Sequence, residues 1–183
     1  MGGVGTAPDT FPGVPRPHTL PAYHPAAASA TMPAERPAPP APSEFAWSDA
    51  FLLGFPAMDA VHEDFVAAAR ALRDASDSGL PEALEAMARH LREHFAQEDA
   101  WMTQTDFPPR QCHIDEHAAV LRSADEVRAV VAQGQIEPAR RFATALIDWF
   151  PGHADYLDAA LAHWMCKQRH GGKPVVLRRG VAA

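Results

Sequence analysis

A chain of 183 residues is long enough for one domain with a sizeable core and short for two. Its 23 acidic side chains against 16 basic ones give a formal net charge of −7, which argues against a general nucleic-acid-binding role. Two cysteines, Cys112 and Cys166, exclude a disulfide-stapled scaffold, and neither sits in a CxxC motif.

Residues 1–43 contain 11 of the 18 prolines and only four charged side chains, Asp9, Arg16, Glu35 and Arg36, which cancel. Proline supplies no backbone donor, and few large apolar residues are present to bury, so the segment is predicted to be a disordered or polyproline-like arm. It reads as an inert arm, or as the place where an unidentified protein partner would dock. The first residues lack the basic start and apolar run of a secretory signal, and no stretch approaches the ~18–20 apolar residues of a membrane span. The expected compartment is the cytoplasm, with no membrane association.

The folded domain is predicted over residues 44–169, followed by a basic C-terminal tail over 170–183. Residues 44–166 carry 21 acids and 9 bases, whereas Lys167 to Ala183 adds five bases and no acid. That end reads as a solvated terminus. Within the domain the apolar pattern is helical throughout. The first stripe is His62, Phe65, Ala69 and Leu72; the second is Leu84, Met87, Leu91, His94, Glu98 and Met102. A third runs through His113, His117, Val120, Ala124, Val127 and Val131. The fourth runs through Phe142, Leu146, Trp149, His153, Leu157, Leu161 and Trp164. Breaks fall at Ser76-Asp77-Ser78-Gly79 with Pro81, at Pro108-Pro109, and at Gly134 with Pro138. Helices of roughly 20–30 residues joined by short loops pack as antiparallel neighbours, so the fold class is an all-α, up-down-up-down four-helix bundle.

Polar residues interrupt these stripes. Buried imidazoles and carboxylates are costly unless paired or bound to a metal. His94 and Glu98 are four residues apart, as are His113 and His117, so each pair lies on one helix face. His153 and Asp158 are five apart, about 140° on an ideal helix, and need a local distortion for which Pro151 and Gly152 are the candidate causes. His62 adds one inward imidazole from the first helix. Any one of these pairs is a weak signal. Five histidines and two carboxylates at inward positions on four helices are a strong one for a metal centre.

This ordered pattern resembles the hemerythrin family in its single-domain bacterial form. The matching stretches are Trp47 to Phe51, Met58 to His62, His94 to Met102, Phe107-Pro108 with His113 to His117, and Trp149 to His153 through Asp158. The resemblance implies a non-haem centre of two iron ions with an oxo or hydroxo bridge. One iron would take His113, His117 and His153, the other His62 and His94, with Glu98 and Asp158 bridging. The first would then have six ligands and the second five, leaving one position for dioxygen. The implied function is reversible dioxygen binding, for carriage, storage or delivery, with no catalytic residues. An oxygen or redox sensor and a di-iron oxidase or peroxide-reducing enzyme are the alternatives. Phe65, Phe95, Trp149 and Phe150 are candidates for an apolar wall that excludes water. His90, one turn before His94, reads as a surface residue or a neighbour of the site. Asp59 reads as a helix cap, or as a partner orienting His62. Asp99, where relatives commonly carry glutamate, is expected to matter little. Cys112 reads as a buried small residue turned away from the site. His18, His24, His163 and His170 are assigned no role.

Overall fold

Prolines open three of the helices in the computed structural model of this chain, which describes residues 45–176. Helix α1 spans Pro56–Asp74, α2 Leu80–Gln104, α3 Arg110–Val131 and α4 Glu137–His153. A π-helical turn, Ala154–Asp158, carries α4 directly into α5, Ala159–His170. Pro56, Pro81 and Pro138 lie in the first turns of α1, α2 and α4. There the missing N–H is no loss, because the first N–H groups of a helix have no intrahelical acceptor. No strand occurs among the described residues. The proline-rich arm expected over 1–43 lies outside the described residues, as does the end of the basic tail from residue 177. None of the described helices is long and apolar enough to cross a membrane.

The helices form the expected antiparallel bundle. α1 packs on α2 and α4, and α3 closes the square by packing on the same two. A short 3-10 turn, Asp49–Phe51, precedes the bundle and drops Phe51 onto it. Phe45, Phe51 and Phe150 then meet at centroid distances of 5.4–6.2 Å. Asp59 acts neither on His62 nor as an ordinary cap. Its carboxylate accepts from the N–H groups of Leu53 at 2.7 Å and Gly54 at 3.1 Å, pinning the turn before α1. Gly54 holds φ +78°, a conformation that L side chains rarely adopt, and Pro174 and Val176 close over it at 3.0–3.1 Å from where a Cβ would stand. Replacing Asp59 with alanine is therefore expected to cost about 1–2 kcal/mol in urea unfolding through two lost hydrogen bonds. Cation content should not change, and a loss of bound cation would instead make Asp59 part of the site.

The core is double. One apolar cluster holds Phe65, Leu72, Leu84, Leu91, Phe95, Val127, Phe142, Leu146 and Phe150. A second, at the other end, holds Leu53, Phe55, Met58, Met102, Phe107, Leu161, Met165 and Cys166. α1 and α2 contribute to both, with polar residues between: Met58, then His62, then Phe65 on α1; Phe95, then Glu98, then Met102 on α2, while α4 serves the first and α5 the second. A buried layer of imidazoles and carboxylates thus separates two apolar cores.

The fourth helix departs from its expected stripe. An uninterrupted α-helical period would bury Leu157 and Trp164, yet both are only half-buried. Asp158, Ala162, Met165 and Cys166 are buried instead. The π-turn explains the offset. The Ala159 N–H donates to the Ala154 carbonyl, five residues back, so one turn absorbs one extra residue and all that follows is rotated. Pro151 sits inside α4, three residues before the turn. It lacks the N–H that would continue the ladder and so weakens regular helix where the register changes. Trp149 lies at the margin of the buried face, and the neighbouring Phe150, 0% exposed, takes the central place.

Candidate metal centre

Seven side chains that interrupt the apolar stripes meet in the middle of the bundle. His62, His94, Glu98, His113, His117, His153 and Asp158 are each 3% exposed or less. The π-turn brings His153 and Asp158 onto one face, with Nε2 of the first 3.2 Å from Oδ1 of the second. All five imidazoles point Nε2 inward.

The carboxylates divide their oxygens between two groups of histidines. Oε1 of Glu98 faces His94 at 3.2 Å and His62 at 3.6 Å. Its Oε2 faces His117 at 3.4 Å and His113 at 3.7 Å. Asp158 does the same: Oδ2 lies 3.2 Å from His62, while Oδ1 lies 3.0 Å from His113 and 3.2 Å from His153. Among the three histidines, Nε2 of His153 is 3.2 Å from that of His113 and 3.3 Å from that of His117. Donors about 2.1 Å from one ion and at right angles around it lie about 3 Å apart, so this spacing suits a shared cation. Two clusters able to hold a metal ion result, Glu98, His113, His117, His153 and Asp158, and His62, His94 and Glu98.

The buried donors are unsatisfied by protein. Both ring nitrogens of His62 and His94 and all four oxygens of Glu98 and Asp158 have no hydrogen-bond partner among the described residues. A buried polar group left in this way costs free energy that a bound cation would recover. Protons are the other claimants. Burial disfavours the His153 imidazolium, but the Asp158 charge 3.2 Å away and the hydrogen bond with Glu116 outweigh it and raise the pKa to about 10. Burial likewise opposes the charge on His62, while the Asp158 and Glu98 carboxylates 3.2 and 3.6 Å away carry its pKa up to about 9. Glu98 and Asp158 are held well below the usual carboxylate range; burial works against this, and the surrounding histidines overcome it.

All four aromatic side chains named as candidates for a wall lie beside the clustered imidazoles. Phe95 stacks on His117 at 4.0 Å and 5°, and Trp149 lies 4.3 Å from His153. Phe150 meets His62 edge-on at 5.2 Å and stacks on Phe65 at 4.4 Å. His90 is half-buried, 5.5 Å from His94 and 6.0 Å from Phe65 between ring centroids, and belongs to neither cluster. Its pKa is pushed down to about 4 by burial and by the neighbouring His94.

Several expectations need correction. Cys112 is exposed rather than buried: the 100° step from His113 carries it past the core to solvent. Asp99 is no bystander, since the Nδ1 of His117 stands 2.8 Å from its Oδ1. Glu116 escaped notice altogether. Its Oε1 lies 3.2 Å from Nδ1 of His153 and accepts from the Trp149 indole at 2.8 Å. The only hint in the sequence was adjacency, because a carboxylate beside a ligand on a helix flanks the inward face. His18 and His24 lie outside the described residues, and His163 and His170 are exposed.

Comparison with known proteins agrees with this geometry. The family model described as the hemerythrin HHE cation binding domain matches residues 53–163. A bacteriohemerythrin of Ralstonia nicotianae is 41% identical over 122 residues, which make up 67% of this chain and 89% of that protein. No solved structure gives a significant match.

Proposed function

The chain belongs to the hemerythrin family, and on that premise we propose that it is a non-haem iron protein that binds dioxygen reversibly. His113, His117 and His153 would hold one iron, His62 and His94 the other, and Glu98 and Asp158 would bridge them. One observation carries this reading: each carboxylate turns one oxygen to the three-histidine group and the other to the two-histidine group. A site for a single ion has no need of that division. Bound there, the iron pair would supply two-electron exchange with dioxygen.

The rest is the work of this chain's own side chains. The two-histidine side offers one imidazole fewer, which leaves room for a small ligand. Phe150 and Phe65 wall that side, touching His62 and lying near His94. They keep water and protons away from whatever binds, which favours release over further reaction. Five neutral imidazoles with two carboxylates also offset less positive charge than the four carboxylates and two histidines of ferritin-like sites. That donor set favours carriage or storage of dioxygen over oxidation of a substrate.

The test is the visible absorption of the iron-loaded protein as dioxygen is admitted and then withdrawn. A band that appears and disappears over repeated cycles is expected. A permanent change to the ferric spectrum after one exposure would overturn the carrier reading and favour an oxidase.

A further inference from the structure

Two of the five inward imidazoles are backed by carboxylates, and both are on the same side of the site. His117 Nδ1 pairs with Asp99 at 2.8 Å, and His153 Nδ1 pairs with Glu116 at 3.2 Å. Nδ1 of His62, of His94 and of His113 is buried with no hydrogen-bond partner among the described residues. The asymmetry follows the division of the bridging oxygens: the backed imidazoles both belong to the three-histidine group, and the two-histidine group has none. Glu116 is itself fixed, because the Trp149 indole donates to the same oxygen at 2.8 Å while its ring lies over His153.

An imidazole whose Nδ1–H is held by a carboxylate is a stronger donor through Nε2, and its ring is locked in orientation and tautomer. We infer that Asp99 and Glu116 are positioning residues that make the two cation positions unequal, so that the three-histidine position fills first and retains its ion more tightly. The two-histidine position, with one imidazole fewer and no carboxylate behind either, exchanges its ion more readily. The inference rests on the two-ion reading above. It assigns a function to two residues outside the ligand set and predicts an order of loading.

Anaerobic titration of the cation-free full-length protein with ferrous ion, followed by calorimetry, tests it. The wild-type protein should take up two ions in two steps separated by tenfold or more. Glu116→Gln and Asp99→Asn should each weaken the first step by about 10–100-fold, the usual cost of removing such a partner. The second step should stay within about threefold. Both substitutions are near-isosteric at partly exposed positions, and far-UV circular dichroism of the cation-free variants checks that they fold. A purely structural role would weaken both steps together. Two ions of equal affinity in the wild-type protein, or variants that weaken both steps alike or neither, would overturn the inference while leaving the two-ion reading intact. Uptake of a single ion by the wild-type protein would overturn both.

Discussion

Replacing His153 with alanine is expected to reduce bound iron from two ions per chain to one or none. His153 lies close to the other two imidazoles of its group and to Asp158, and it links them to Glu116. Its loss removes one candidate ligand, and Asp158 and Glu116 each lose a partner. Its backbone also leads into the π-turn, whereas its side chain takes no part in that turn, so the variant keeps the register of the fourth helix. Removing one member of a buried charged pair costs about 3–5 kcal/mol, and the cation-free variant should unfold at correspondingly lower urea. Iron content measured on folded, purified variant decides the question; full retention of two ions would remove His153 from the ligand set.

The second large effect is a dependence of iron binding on pH. In the cation-free protein His62 and His153 hold their protons up to about pH 9 and 10. Both values stand above the ordinary 6.5, so their stabilising contribution is complete below pH 6.5 and is lost as pH rises through 9 and 10. Iron needs the same nitrogens unprotonated, and its sign is opposite: affinity rises with pH across the window in which the cation-free fold weakens. While both histidines are protonated, each pH unit should strengthen loading by about a hundredfold. Loading at pH 7.5 in weak buffer should release about two protons per chain, read with an indicator dye. Release of none would show that the imidazoles are neutral before iron arrives.

The bundle was readable because its helices carry apolar stripes of constant period, and the candidate ligands because each stands where such a stripe should be apolar. Burial of His62, His94, Glu98, His113 and His117 follows from that period alone. Asp158 does not, since a five-residue step is invisible to a 3.6-residue period until the turn is known to be π-helical. The same blindness placed Leu157 and Trp164 on the buried face. The carboxylates behind the ligands were hidden for another reason. Asp99 and Glu116 sit at the margin between core and solvent, where acidic residues are ordinary, and only the close approach of an imidazole nitrogen distinguishes them. Cys112 shows the converse error, because one helical step from a buried residue leads as easily outward as deeper in.

The extra residue in the fourth helix also bears on how sequences of this kind can be compared. Upstream of His153 the buried positions follow one helical frame, and downstream of Asp158 they follow another, displaced by a residue. The two frames meet inside the layer that divides the cores. A heptad assignment drawn through both would put exposed positions opposite buried ones for the whole of α5. A chain that lost the one extra residue between His153 and Asp158 would carry an ordinary four-residue His–Asp pair on an unbroken α-helix, and the same face of α5 would still meet Met58 and Met102, so a five-residue and a four-residue spacing can serve the same centre.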